Sequence, residues 1–493
     1  MSDFESLNLK RSFLYFIGHL LSRAQVFFLV PILVRFLGKE LLGVYEVLSS
    51  LSVFVVTLTV FSLDSCLVSF YNEQKNFKKK SEVFCASIGL CFFISLFIFI
   101  IFYFFHNYLM NRLSLSRHVS PFCFLLNIGS SVLSGWTSVF LTLFRLRFES
   151  LKFTLVTVLG PFTALFLTLH LFHKVVAVES VVYAIFFSNL LTFIICVFCA
   201  KKSFMLVKPD FGYWASRFFK IILPLVPFTF SAWLINLADR EILVVLKGFS
   251  DAGVYGVLNK ISNLTGILLG PFQISWTPYA MASWEKGGDS REGFLKVFKY
   301  FFFFSFVIVS LIFCFSDFLI KVFSNSSYLE FSYLLAPLAI CNVLGVAYYF
   351  PLVSFLKEKK MLGSTVAFSV GALLNIFLNF SLIPNLGILG AVVANLIGYA
   401  AMFLVAGWYE RSLTKVGYFY KRVAFFSLLL SFVIVFAGKG YFYLNFLERA
   451  FFAIVFVSFF IGFLYFFADS TKKEIVNSFR YLKSRINSRS KLT

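Results

Sequence analysis

The chain has 493 residues, of which 60% are hydrophobic and 14% charged, with a formal net charge of +21. Mean hydropathy is +0.88. A soluble fold of this length cannot hide so much apolar surface, so the composition excludes a water-soluble globular protein and requires a polytopic membrane protein.

Apolar runs of about 18–25 residues are each long enough to cross a bilayer as a helix. They fall at 13–34, 42–66, 83–105, 121–144, 153–172, 180–199, 218–245, 254–278, 300–322, 331–355, 364–384, 388–409, 423–438 and 446–468. The expected fold is therefore all-α, with about fourteen transmembrane helices. The first run contains Arg23, Gln25 and Pro31 and lacks a small-residue cleavage site, so it reads as helix one and not as a cleaved signal. The span at 423–438 is the shortest.

Within this series lies an internal echo. Residues 32–48, ILVRFLGKELLGVYEVL, return at 242–258 as ILVVLKGFSDAGVYGVL. At one constant offset Ile32, Leu33, Val34, Gly38, Gly43, Val44, Tyr45, Val47 and Leu48 meet Ile242, Leu243, Val244, Gly248, Gly253, Val254, Tyr255, Val257 and Leu258. The Gly-x4-Gly-Val-Tyr spacing is more than shared hydrophobicity, and it points to a transporter built from two similar lobes. Helix one opens the first copy and helix seven the second, so each lobe holds six helices. An even number gives both the same orientation, related by a pseudo-two-fold axis along the membrane normal. The expected division is a first lobe at 1–200, an inner linker at 201–217, a second lobe at 218–410, two added helices within 411–468 and a basic tail at 469–493.

Lys and Arg set the orientation. With the N-terminus inside, about 32 of them fall on inner segments, about 9 outside and about 3 within the membrane. The inner groups include Lys78/Lys79/Lys80, Arg145/Arg147/Lys152, Lys201/Lys202/Lys208 and the tail from Lys472. Both termini are then cytoplasmic. The positive charge is mostly topology and gives no reason to expect nucleic acid; the tail is suited to anionic lipid headgroups.

Charges inside the membrane are costly, so each is a functional candidate. Helix one carries Arg23, with His19 one turn away on the same face. Helix two carries Asp64 in its inner part. Helix seven carries Asn236, Asp239, Arg240 and Glu241, and helix eight Lys260 and Asn263. Arg23, Arg240 and Lys260, drawn from both lobes, suit an anionic substrate such as a phosphate or diphosphate, with His19, Asn236 and Asn263 beside them. Two other readings stay open: Asp239 or Glu241 neutralises Arg240 and Lys260 within the protein, or Asp64, Asp239 or Glu241 binds a coupling H+ or Na+. Amides at Asn127, Asn189, Asn342, Asn375, Asn379 and Asn395 read as interhelical hydrogen-bond partners, some within reach of sugar hydroxyls. Pro31 in helix one and Pro224 and Pro227 in helix seven are candidate hinges, because a mid-helix proline removes a backbone hydrogen bond.

The chain has no phosphate-binding Gly-x4-Gly-Lys loop, so ATP is not the expected direct energy source. No catalytic constellation stands on any outer loop, so an enzyme is not expected. Cys196 and Cys199 form a CxxC on an apolar helix and read as buried small hydrophobes; His170 and His173 lack further ligands, so no metal and no cofactor is expected.

Four stretches, LVRFLGKELLGVYEVLSSL at 33–51, LDSCLVSFYNEQK at 63–75, the run from ILPLVPF to NKISNL at 222–264 and WTPYA at 276–280, resemble the Wzx-type polysaccharide (O-antigen) flippases of the multidrug/oligosaccharidyl-lipid/polysaccharide exporter superfamily. The resemblance covers nearly the whole chain. It implies two six-helix bundles with two extra C-terminal helices, a bacterial inner-membrane location, and movement of an undecaprenyl-diphosphate-linked oligosaccharide of O-antigen, capsule or exopolysaccharide type to the periplasmic leaflet. It places Asp239, Arg240 and Lys260 on the second-lobe wall of a cationic cavity, with Arg23 facing them. Expected partners are the lipid-linked glycan and membrane lipids, with a polysaccharide polymerase and a chain-length regulator as further candidates. The alternatives are a multidrug or cation antiporter of the same superfamily, disfavoured by Arg23 and His19 standing where drug exporters carry an acid, and a membrane glycan polymerase or transferase.

Overall fold

The computed structural model describes residues 3–285 and 291–414 and scattered positions from 416 to 458; within the first helix the side chains of residues 3–17, 19–20 and 23–27 lie outside this set. The predicted helices at 423–438 and 446–468 and the tail at 469–493 fall largely or wholly outside the described residues.

Among the described residues the fold is all helix. The first bundle consists of α1 (Asp3–Val60), α2 (Leu63–Glu73), α3 (Phe77–Arg112), α4 (Pro121–Leu146), α5 (Ser150–Phe172) and α6 (Val178–Ala200). The second consists of α7 (Phe211–Lys247), α8 (Phe249–Ser262), α9 (Leu264–Glu285), α10 (Arg291–Cys314), α11 (Ser316–Phe323), α12 (Leu335–Ala347), α13 (Tyr349–Lys357), α14 (Leu362–Leu386) and α15 (Ile388–Leu413). Ten helical segments among them are long and apolar enough to cross a membrane.

The echoed sequence takes up one backbone shape twice. α1 is two helices meeting at Gly38, which has φ 69° and ψ 176°. α7 and α8 meet in the same way at Gly248, with φ 95° and ψ 176°. This left-handed, extended conformation is open to glycine and strained for other residues, which is why both copies carry glycine there. The break between the first two helices of each bundle is thus at the glycine; Pro31, Pro224 and Pro227 lie inside helices.

Four predicted spans are interrupted. Residues 42–66 divide at Phe61 and Ser62, both left-handed (φ 44° and 58°), so that α2 leaves α1 at an angle. Residues 254–278 divide at Asn263. Residues 300–322 divide at Phe315, between α10 and α11, and 331–355 at Tyr348, between α12 and α13. α7 also begins earlier than predicted, at Phe211, where Asp210 caps it by accepting from the Tyr213 N–H at 3.1 Å.

The stretch before α7 is tied to the first bundle. Ser203 Oγ donates to Glu149 at 2.6 Å, the Met205 N–H to Ser81 at 3.0 Å, and Trp214 Nε1 to Glu82 at 3.0 Å. Phenylalanine serves two ends. Phe298, Phe301, Phe350 and Phe272 interlock around Trp276 in the second-bundle core, whereas Phe104 and Phe166 point outward, about 70% exposed, as lipid-facing side chains do. All eight cysteines are free; Cys196 is buried and Cys199 half-buried.

Candidate functional site at the seam between the bundles

The two copies of the echo pack on each other. A methyl group at Gly43 would lie 1.8 Å from the Phe249 carbonyl oxygen, and one at Gly253 would lie 2.2 Å from the Lys39 carbonyl oxygen. Lys39 and Phe249 occupy equivalent places in the repeat, as do Gly43 and Gly253, so the contact is reciprocal. Small residues let the backbones of α1 and α8 touch, a common way to join helices in a bilayer where lipid offers no hydrophobic drive. Val44, Val47, Val257 and Leu258 seal the seam and are almost fully buried. At its edge Lys39 donates to the Ser327 carbonyl at 3.0 Å and faces Glu330 at 3.8 Å.

One turn further along α1 is Glu46, whose side chain is 0% exposed. It reaches across the seam to two cations of the second bundle. Its Oε2 lies 3.4 Å from Arg240 Nε, and its Oε1 pairs with Lys260 Nζ. Arg240 and Lys260 retain only 10% and 21% side-chain exposure. The Lys260 ammonium also lies 4.7 Å above the Tyr45 ring, a cation–π contact from the first bundle. Within this cluster one carboxylate is shared by two cations.

Arg240 and Lys260, both singled out from the sequence, meet at one carboxylate that the sequence reading did not single out. Neither Asp239 nor Glu241 pairs with either cation; Glu46 holds both. The signal was available, since Glu46 is an ionisable residue inside an apolar run, the same criterion that selected Asp64.

Asp239 has its own surroundings. It is 0% exposed and accepts from Tyr255 Oη, Asn379 Nδ2 and Asn395 Nδ2, each at 2.6 Å. Asn375 completes the group, donating to Asn395 at 3.1 Å and accepting from Asn379 at 3.1 Å. α7, α8, α14 and α15 thus each contribute to a cage of amides and one phenol around a single carboxylate. Glu241 is half-buried beside Ser50, with its Oε2 unpaired among the described residues.

The remaining predicted residues spread out. Asn236 is exposed and accepts from Tyr399 Oη at 2.6 Å. Asn263 is exposed at the break between α8 and α9. Asp64, in the first turn of α2, accepts from the Ser65 N–H at 2.9 Å and lines a cavity of about 430 Å³ between the bundles, with Val56, Ser62, Phe228 and Thr229. The side chains of His19 and Arg23 lie outside the described residues. Arg240 and Lys260 do not line this inter-bundle cavity; in the present arrangement they are turned onto Glu46 instead of forming an open cationic wall.

The fold matches solved transporter structures. The lipid II flippase MurJ in an inward closed conformation matches at 16% identity, covering 92% of this chain and 99% of that one, with a TM-score of 0.69. A multidrug resistance MATE family transporter of the MOP superfamily, inward-facing, matches at 14% identity over 81% of this chain and 96% of that one, with a TM-score of 0.64. An outward-facing MATE family transporter matches at 15% identity over 82% and 96%, with a TM-score of 0.54. No curated protein matches the chain. Residues 9–282, which hold the first bundle, both copies of the echo and the Glu46–Arg240–Lys260 cluster, match the family described as polysaccharide biosynthesis protein, and the chain belongs to that family.

Proposed function

We propose that the protein is a flippase that carries an undecaprenyl-diphosphate-linked oligosaccharide across the bacterial inner membrane by alternating access between its bundles. The observation that carries this reading is the pair of cations, Arg240 and Lys260, held by a carboxylate of the opposite bundle. Buried cations in a membrane protein of a polysaccharide-building family suit the diphosphate that such a lipid carries. Arginine offers a fork to phosphate oxygens and lysine a point charge.

The seam gives the cycle its logic. By the positive-inside reading it lies at the outer end, so the present arrangement is closed to the outside. The TM-score against an inward-facing MATE family transporter, 0.64, is higher than that against an outward-facing one, 0.54, in keeping with this. An incoming diphosphate and Glu46 compete for the same two cations. When the headgroup takes Arg240 and Lys260, Glu46 loses its partners, the tie across the seam is released, and the bundles rock apart about the glycine breaks with the polyprenyl tail left in lipid. Asp239 is the candidate coupling group: a buried carboxylate held by amide N–H groups and a phenol can take up a proton, or hold a small cation once those amides turn their oxygens toward it.

Export of surface glycan in cells carrying Arg240→Ala tests the reading. Export is expected to fail at unchanged protein level. Normal surface polysaccharide at equal expression would remove Arg240 from the mechanism. Efflux of cationic dyes from liposomes containing the purified protein would instead favour the antiporter.

A further inference from the structure

A second cavity of about 320 Å³ lies inside the first bundle, between the later half of α1, α4 and α6. No charged side chain lines it. Its polar groups include Ser49, Ser134, Asn127 and Asn189, and its apolar walls include Tyr45 and Val56.

The hydroxyls are not equivalent. A serine or threonine in a membrane helix commonly spends its hydroxyl on the carbonyl one turn back. Ser52 does so to Leu48 at 2.8 Å, Ser131 to Asn127 at 2.8 Å and Thr137 to Leu133 at 2.9 Å. Ser49 and Ser134 make no such bond and stand half-buried at the cavity wall. The amides are fixed beside them. Asn127 donates to the Leu48 carbonyl at 3.1 Å, and its Oδ1 lies 3.0 Å from Ser52 Oγ, sharing that hydroxyl with the Leu48 carbonyl. Asn189 donates to Ser130 Oγ at 2.9 Å, which leaves its carbonyl oxygen as an unspent acceptor.

We infer that this cavity is a carbohydrate subsite for an uncharged sugar residue of the lipid-linked glycan, the one next to the diphosphate. The inference rests on the flippase reading above and gives it a ligand-recognition element. An uncharged lining offers nothing to an ion, whereas unspent hydroxyls and an amide oxygen alternating with apolar walls match a sugar, which has hydroxyls at its edge and C–H groups on its faces. The volume is at the small end of ligand sites, so it suits a single residue and not a whole repeat unit. Two residues connect it to the rest of the path. Val56 lines both this cavity and the inter-bundle one, and Tyr45 lines it while its ring carries the Lys260 ammonium. A sugar held here would be joined directly to a diphosphate at Lys260.

The test uses the purified full chain in lipid nanodiscs and two probes, undecaprenyl diphosphate and the same lipid bearing one N-acetylhexosamine. The wild type is expected to bind the glycosylated lipid about tenfold more tightly, the worth of one or two hydrogen bonds. The Ser49→Ala/Ser134→Ala variant is expected to bind both probes alike, with its affinity for the bare lipid unchanged, which also reports that it is folded. Equal affinity of the wild type for both probes would overturn the subsite and leave the diphosphate reading standing, the cavity then holding water only. A preference for the glycosylated lipid that survives in the variant would also overturn it. Failure of the wild type to bind either probe would sink the flippase reading and the subsite with it.

Discussion

The two bundles share a backbone plan and differ in what they keep inside. At the offset that superposes the echo, Asp239, Arg240 and Glu241 of the second bundle correspond to Leu29, Val30 and Pro31 of the first, and Lys260 corresponds to Ser50. Tyr255 donates to Asp239, while its counterpart Tyr45 offers its ring face to Lys260. The first bundle encloses an uncharged cavity of hydroxyls and amides, and its pairs Arg147–Glu149 and Lys152–Glu149 stand at its rim, where the loop after α4 enters the first turn of α5. The second buries its charges. Seam geometry can therefore stay fixed while interior chemistry diverges, because the seam depends on glycines and carbonyls and the interior depends on side chains. Glu46 is the exception: it is a buried first-bundle charge that serves the second bundle's buried cations.

The most severe way to break this comparison is to attack the geometry both halves share. Gly43→Val sets carbon atoms where the Phe249 carbonyl now lies, 1.8 Å from the position of a single added methyl. Overpacking typically costs about 1–3 kcal/mol, and a clash with backbone belongs at the upper end of that range. Glycan export should be lost and an introduced cysteine at the seam should become open to a membrane-impermeant thiol reagent from outside; unchanged labelling would mean that the seam does not hold the closed state.

Next is Glu46→Gln. Two buried cations then lose their counter-charge, a change worth about 3–5 kcal/mol at a buried pair. The seam should again label more readily, this time without any clash, and binding of undecaprenyl diphosphate should tighten because a competitor has gone. Weaker binding would show that Glu46 orients the cations and does not compete with the headgroup.

Asp239→Asn keeps the amide cage and removes its charge. Transport in proteoliposomes should become insensitive to imposed Na+ and H+ gradients, with lipid binding retained. A response to either gradient that matches the wild type would place the coupling elsewhere, with Asp64 and Glu241 the next groups to try.

The smallest effect belongs to the rim of the first bundle. Burial pushes the Glu149 carboxyl up, but hydrogen bonds from Ser203, Arg147 and Lys152 outweigh it and hold it below the ordinary carboxylate range. A carboxyl lowered in the folded state stabilises the fold above its unfolded pKa, and that contribution fades as pH falls through the folded value. Glu149→Gln should therefore lower thermal stability at neutral pH by less than about 1 kcal/mol, screened as it is by solvent. The difference from the wild type should shrink on acidification; a gap that stays constant down to strongly acidic pH would assign the loss to packing.

Much of this plan was legible in the sequence. The echo at 32–48 and 242–258 announced two lobes, because a repeat survives in residue identities. It did not disclose that the two copies touch each other, since a glycine in a sequence does not name the carbonyl it makes room for. Arg240 and Lys260 stood out because charge in an apolar run is costly, and by the same rule Glu46 was there to be found. The Asp239 cage was visible only as separate amides: Asn375, Asn379 and Asn395 lie more than a hundred residues away in the chain, and only packing of α14 and α15 on α7 assembles them. The breaks at Phe61, Ser62 and Asn263 carried no glycine or proline signal, so tertiary packing sets them.

The meeting of Glu46 with Gly256 has one more consequence. These two positions are equivalents in the repeat, and a methyl group on Gly256 would lie 2.4 Å from the Glu46 side chain. In an isologous dimer of identical subunits a residue so near the symmetry axis faces its own copy. Such a pair would hold two carboxylates pressed together or two glycines with no carboxylate at all. Only covalent fusion lets one side keep the acid while the other withdraws to a hydrogen atom, so this clasp is a device that a symmetric homodimer of either half is unable to build.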